Sequence, residues 1–299
     1  MSEQPTVAFI GLGAMGLPMA GRLLDAGYPV RGYNRTPQKA EPLRRKGLLL
    51  CSSPKEAAST ASVIVTMVRD DEALRAVAEG SQGLLAGAAK GATWIEMSTV
   101  SPQTSEELAA RAADLGVSFL QAPVSGSVPH AETGQLTIIV SGDEAAYAAA
   151  KPLLAVLGST VKQVGPLSNA LHLKLAINLS IAIQTIGYAE GLLLAQRAGI
   201  EKGLAVEVLL SSAIASPMLK GRGRLVLERP EQAWFDVGLM QKDMEIALAK
   251  AREEEVPLPL SGLANQLLTA TRAAGLGEED VIAVYDLLAR LAGEGIAVA

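Results

Sequence analysis

Six residues, Gly11-Leu12-Gly13-Ala14-Met15-Gly16, constrain this chain more than any other stretch. They fit the pattern G-x-G-x-x-G. The pattern is weak alone, but here it follows the apolar, β-prone run Thr6–Ile10 and opens the helix-forming run Met15–Ala26, which stops at Gly27. In that setting each glycine has a task. Gly11 permits a tight turn, Gly13 lets backbone approach a pyrophosphate, and Gly16 lets the helix lie against the strand. The helix N-terminus then offers N–H groups and a positive dipole end to an anion. An ordinary strand–helix turn is the bland alternative.

The next strand chooses the cofactor. An NAD site usually carries Asp or Glu about 20 residues beyond the glycines, accepting from the ribose 2′-OH. This chain has Asn34-Arg35-Thr36 there. No carboxylate repels a 2′-phosphate, and Arg35 offers a planar fork to grip one. The expectation is NADP(H) over NAD(H), against the alternative that Arg35 is a solvated loop charge.

Further strands are expected at Pro29–Tyr33, Leu48–Leu50, Ser62–Met67, Thr93–Met97, Val117–Leu120, Leu136–Val140 and Thr160–Val164, with helices such as Ser101–Leu115 and Glu144–Leu157 between several of them. Strands that are apolar throughout, separated by helices, predict an α/β fold with a largely parallel, doubly wound Rossmann-type sheet covered on both faces. After Gly165-Pro166 the strand signal stops. Helices are expected at Asn169–Ala198, Glu201–Ala213, Asp236–Glu254, Pro259–Ala274 and Glu278–Leu291. The first would run roughly 45 Å at ~1.5 Å per residue, long enough to connect two domains. We therefore divide the chain into a nucleotide-binding domain, residues 1–165, and an all-α domain, residues 166–299.

Composition excludes several classes. With 49% hydrophobic and 19% charged residues the chain has material for a packed core. A net charge of −5 without a basic run, and only 3% aromatics, argue against a nucleic-acid partner. One cysteine, Cys51, allows no internal disulfide and fits a reducing compartment. Two histidines and one cysteine leave no ordinary Cys/His zinc site, so no metal is expected. The start, Met-Ser-Glu-Gln-Pro, lacks a signal pattern. The longest apolar stretch, Leu171 to Ala189, is interrupted by His172, Lys174, Asn178, Ser180, Gln184 and Thr185, more than a membrane helix tolerates. These features predict a soluble cytoplasmic protein.

Lys174 is the one permanent charge in that stretch. Among Leu173, Leu175, Ile177 and Ile181 an ammonium either snorkels to water or serves a site. Asn178, at i+4, shares its helix face. Such a pair can hold a substrate oxygen and pass a proton, and burial would favour proton release from the lysine. A partly exposed lysine beside an ordinary asparagine is the alternative. His172 lies roughly 200° around the helix from Lys174 and is expected to pack or face solvent. Cys51, Trp94 and Trp234 are expected to be packing residues.

Several ordered motifs resemble the β-hydroxyacid dehydrogenase family, over nearly the whole chain. They are Phe9 to Ala20 around the glycine turn, Asn34-Arg35-Thr36, Glu96 to Pro102, Ala122-Pro123-Val124-Ser125-Gly126, Lys174 with Asn178, and Phe235 with Leu239-Met240-Gln241-Lys242-Asp243. The resemblance implies a nucleotide-binding domain, a long interdomain helix and an all-α domain, in homodimers or homotetramers. It implies hydride transfer between NADP(H) and a small β-hydroxyacid or semialdehyde, with Lys174 as proton donor and acceptor and Asn178 orienting either the oxygen or the lysine. It further implies Met67, Val68, Arg69, Thr99 and Lys242 as cofactor contacts, and Ser125 and Gly126 as carboxylate contacts. An imine reductase and a non-catalytic NADP-binding module are the competing readings.

The chain departs from that family pattern at points. Gln121 stands for an acid, Val68-Arg69 for Leu-Pro, Ser127 and His130 for glycines, and Ser168-Asn169-Ala170 for Gly-x-Gly. Side chains at Ser127 and His130 alter the pocket, which predicts a substrate other than 3-hydroxyisobutyrate, with His130 either taking an extra polar group or facing solvent.

Overall fold

The computed structural model describes residues 4–293. Among the described residues there are nine strands: β1 Val7–Ile10, β2 Val30–Tyr33, β3 Leu49–Leu50, β4 Val63–Thr66, β5 Thr93–Glu96, β6 Ser118–Gln121, β7 Val124–Ser125, β8 Thr137–Gly142 and β9 Thr160–Gln163. The helices are α1 Gly16–Asp25, α2 Glu41–Arg44, α3 Pro54–Ala58, α4 Asp71–Ala78, α5 Pro102–Asp114, α6 Val128–Thr133, α7 Glu144–Leu157, α8 Asn169–Arg197, α9 Lys202–Ser211, α10 Pro217–Arg222, α11 Val237–Glu253, α12 Pro259–Thr271 and α13 Val284–Leu291. The chain forms two compact units, residues 1–174 and 175–299.

In the first unit the strand order is β3-β2-β1-β4-β5-β6-β8-β7, with β9 paired to β8. Strands β1 to β6 run parallel. The order 3-2-1-4-5-6 is the doubly wound arrangement that places a ligand crevice beyond the strand ends, where the order reverses. The sheet is mixed beyond that point, because β8 runs antiparallel to β6 and β7. All four residues of β1 are buried, as a strand covered on both faces must be. One apolar layer gathers Phe9, Met19, Leu23, Ile95, Leu154 and their neighbours, and the other gathers Ile10, Ile64, Leu74, Trp94 and Leu108. Trp94 donates to Thr66 Oγ1 at 2.9 Å and meets Phe119 edge-on.

The second unit is helical. By length and mean hydropathy, 1.3, α8 is apolar enough to cross a membrane. Its Ala182, Ile186, Ala189 and Leu192 are instead buried with Val206, Met240, Met244 and Leu268 in the core of the helical unit. This face of α8 serves protein packing. Asp280 anchors this unit's loops: its buried carboxylate accepts from Arg222 and from the N–H groups of Trp234 and Ile282.

Gly16 shows how closely the first unit is built. A Cβ at Gly16 would stand 1.9 Å from the Gly11 carbonyl oxygen, whereas one at Gly13 would meet nothing within 4 Å. Gly16→Ala should therefore cost about 1–3 kcal/mol through overpacking, and Gly13→Ala should leave stability nearly unchanged. Urea unfolding of both variants checks this; equal midpoints would contradict it.

Candidate active site

Strand register assembles the nucleotide end. Ile10 pairs with Tyr33 and with Thr66, and Thr66 pairs with Glu96. The next residue of each strand, Gly11, Asn34, Met67 and Met97, therefore stands on one rim, at the carboxyl ends of β1, β2, β4 and β5. Gly11 has φ +101°, and a Cβ on it would lie 2.2 Å from the Met67 carbonyl oxygen. The turn needs glycine for both reasons. The side of the turn at Gly13 is open.

The helix end behind this turn lacks a protein cap. α1 has Met15 at its N-cap, no side-chain cap and no acid in its first turn. In the same unit α3, α4, α5 and α7 are capped by Ser53, Asp70, Ser101 and Asp143. An uncapped helix start behind an open glycine is a fitting cradle for a pyrophosphate, so the residues present suit a dinucleotide.

The neighbouring loops are tied to that turn. Leu12 N–H donates to Asn34 Oδ1 at 2.9 Å, and Asn34 Nδ2 donates to the Thr36 carbonyl at 2.8 Å. Arg35, between them, is exposed. Val68 N–H donates to Ser98 Oγ at 2.8 Å, and Ser98 N–H to Glu96 Oε1 at 2.7 Å, with Ser98 and Glu96 buried. The Met67-Val68-Arg69 turn is thus secured to the strand end that carries Thr99. Sequence reasoning missed Ser98 and Glu96, whose polar character inside a strand–loop junction was the available signal.

Ser125 closes the short strand β7, opposite Thr137 on β8, and Gly126 follows at φ +122°. Ser127 and His130 face each other across the first turn of α6, where Ser127 N–H donates to His130 Nδ1 at 3.3 Å. His130 is exposed and folds back over its own loop; a Cβ at Gly126 would stand 3.0 Å from His130 Cβ. Gln121 is a buried junction. It donates to Ser105 Oγ at 2.7 Å and accepts from Ser141 Oγ at 3.1 Å and from Ser168 N–H at 2.8 Å. Ser168 itself holds φ +78°, a conformation that favours glycine, and its hydroxyl donates to Glu106.

On α8, Lys174 is 8% exposed and Asn178 is 1% exposed. Asn178 Nδ2 donates to Asp243 Oδ2, and Lys242 Nζ lies 2.9 Å from Asp243 Oδ1. Asp243 is 2% exposed and sits on the buried stripe of α11 formed by Met240, Met244, Ala247 and Ala251. The helical unit therefore brings Asn178, Lys242 and Asp243 together. A carboxylate accepts only, so it must face the NH2 end of the Asn178 amide. Asp243 was missed as a functional candidate; a lone carboxylate at helical spacing on an apolar stripe was its signal. Cys51 is buried, and burial pushes its thiol pKa up, away from nucleophile behaviour. His172 is half-buried, one turn after Ser168.

Comparison with known proteins agrees with this geometry. Residues 6–165 match the NAD binding domain of 6-phosphogluconate dehydrogenase, and residues 169–288 match the NAD-binding family of NADP-dependent 3-hydroxyisobutyrate dehydrogenase. Glyoxylate/succinic semialdehyde reductase 2 of Arabidopsis thaliana, a chloroplastic protein, is 35% identical over 283 residues, 95% of this chain and 79% of its own length. The crystal structure of 3-hydroxyisobutyrate dehydrogenase from Salmonella typhimurium superposes with TM-score 0.89 at 29% identity, covering 95% of this chain and all of the other. A complex of Psf3 with NADP+ and 2-OPP gives 0.87 at 30% identity with the same coverage. An imine reductase from Pseudomonas sp. shares the fold, with TM-score 0.60 at 23% identity over 95% and 99% of the chains. The glycine turn at a Rossmann switch point, the long α8 with its Lys and Asn, and matches along both halves identify this chain as a member of the β-hydroxyacid dehydrogenase family of oxidoreductases, which bind a pyridine nucleotide.

Proposed function

We propose that this protein is an NADP(H)-dependent reductase of small semialdehydes or keto acids, equally a dehydrogenase of the matching β-hydroxyacids. The observation that carries the chemistry is a buried Lys174 with Asn178 one turn further on, the latter clamped by the carboxylate of Asp243. When bound, the nicotinamide supplies hydride to a carbonyl carbon or takes it from a carbinol. Reduction builds negative charge on the substrate oxygen. Lys174, as ammonium, stabilises that charge and donates the proton; as amine it accepts the proton in oxidation. Because Asp243 engages the NH2 end of Asn178, the carbonyl end of that amide is the one suited to receive an N–H from Lys174. Asn178 thus orients the lysine in this reading. Ser125 and the backbone at Gly126 bind the substrate carboxylate, with Ser127 and His130 shaping the same loop.

The cradle for the nucleotide is Gly11 to Gly16, Met67 to Arg69, Thr99 and the loop Asn34 to Thr36. The NADP(H) preference rests on Arg35, exposed on a loop with no carboxylate at positions 34–36. The NADP+ complex among the similar structures supports it. In this reading Lys242 also reaches toward the cofactor. We further read the protein as cytoplasmic, in keeping with its single reduced Cys51, and as a homodimer or homotetramer. Exposed Leu194, Leu204, Val208 and Ile214 on the helical unit support self-association.

Lys174→Ala should lower kcat by about a thousandfold, the scale of general acid–base catalysis, while NADPH binding by fluorescence stays within the wild-type range. Retained turnover would remove the mechanism. Arg35→Ala should raise the KM for NADPH by about tenfold or more through loss of charge-assisted hydrogen bonds and leave the KM for NADH unchanged; an unchanged NADPH KM would overturn the cofactor assignment. Asp243→Ala leaves the Asn178 amide without its acceptor and should depress kcat by about tenfold, one hydrogen bond's worth, with cofactor affinity preserved. Steady-state kinetics beside a binding titration separates the two effects.

A further inference from the structure

We infer that Asn34 is a positioning residue whose two-ended amide staples the glycine turn to the Arg35 loop, so that the grip on the pyrophosphate and the grip on the 2′ end of the nucleotide are mechanically one. Gly11 N–H donates to the Tyr33 carbonyl at 2.9 Å, which joins the turn to the end of β2 through backbone alone. One residue on, the side chain of Asn34 takes over. Its Oδ1 accepts from Leu12 N–H at 2.9 Å and its Nδ2 donates to the Thr36 carbonyl at 2.8 Å. The Thr36 carbonyl also accepts from Lys39 N–H at 3.2 Å, which holds the far side of the loop to the short helical turn Pro37–Ala40. The Asn34-Arg35-Thr36 loop is therefore closed at both ends, and Arg35 projects from its tip.

Only a residue with an acceptor at one end and a donor at the other makes both bonds. Aspartate at this position would keep the bond from Leu12 N–H but would set a carboxylate oxygen against the Thr36 carbonyl, two acceptors facing each other. It would also place a negative charge beside Arg35, where a 2′-phosphate is expected. Alanine would remove both bonds and leave the charge balance untouched. Asparagine here thus does two separable things: it holds the cradle in shape for either nucleotide, and it lets the loop accept a phosphate. The first rests on the hydrogen bonds alone; the second also rests on the NADP(H) reading above.

Direct binding titrations of NADPH and NADH to the purified full chain, with thermal midpoints recorded alongside, test this. For Asn34→Ala we expect both dissociation constants to rise together by about tenfold, the scale of a lost hydrogen bond or two, with the ratio between them kept. For Asn34→Asp we expect the NADPH constant to rise by about tenfold more than the NADH constant, because charge repulsion acts only on the 2′-phosphate. A purely structural role would lower the midpoint, leave both constants of Asn34→Ala near wild type and leave the ratio between the two constants of Asn34→Asp unchanged. Should Asn34→Asp fail to fold, Asn34→Ser serves as the second variant, its hydroxyl too short to span both loops, with both constants again expected to rise together. Binding of both nucleotides by Asn34→Ala within twofold of wild type would overturn the staple. A wild-type protein that binds NADH better than NADPH would overturn the cofactor reading, while the Asn34→Ala titration would still decide for or against the staple.

Discussion

Everything in the nucleotide-binding unit depends on backbone lying against backbone at one turn. Gly16 approaches the Gly11 carbonyl, and Gly11 approaches the Met67 carbonyl, both at separations that leave no room for a Cβ. These contacts bring the start of α1 down onto the rim of the sheet, where the strand order reverses between the neighbours β1 and β4. An uncapped helix start then points its dipole at a space that the open side of Gly13 leaves clear. The remaining loops of the rim are braced by side chains: Asn34 holds the turn on one side and Ser98 holds the Met67 turn on the other. Preorganisation of this kind lowers the ordering cost of binding a flexible nucleotide.

The helical unit follows a different rule. Its core is largely aliphatic, and α8 and α11 contribute Asn178 and Asp243, both almost wholly buried. Burying an amide and a carboxylate in such surroundings is unfavourable unless each finds a partner. They find one another, and Lys242 lies beside the second carboxylate oxygen. The same interaction that makes burial tolerable also sets which end of the Asn178 amide faces which neighbour.

Much of this architecture is legible in the chain. All eight strands expected from β-branched, apolar runs are present, most with ends shifted by one or two residues because ladder pairing, not composition, decides where a strand stops. The long α8 begins at Asn169 as expected and ends one residue short of Ala198. Strand β7 was not anticipated: Val124–Ser125 is too short to show a period, and it exists because β8 passes alongside it. The short helices α3, α4, α6 and α10 were also not anticipated, although Ser53, Asp70 and Ser216 are cap residues in plain view. A helix of one or two turns carries too little periodicity to stand out. The sheet is largely parallel as expected; β8, antiparallel to β6 and β7, is the exception, and β9 runs parallel to β8.

The order of residues alone decided the glycine turn, the absence of a carboxylate at the end of β2, and the isolated Lys174 on an apolar helix, since each is a matter of which side chain occurs where along a regular element. Tertiary structure alone decided what those residues touch. That Asn34 reaches Leu12 across 22 positions, that Gln121 joins Ser105, Ser141 and Ser168, that His130 turns back on Ser127, and that Asp243 meets Asn178 across 65 positions are consequences of sheet register and helix packing. Periodicity assigns a residue to a face; only the closing of distant segments gives that face its partner.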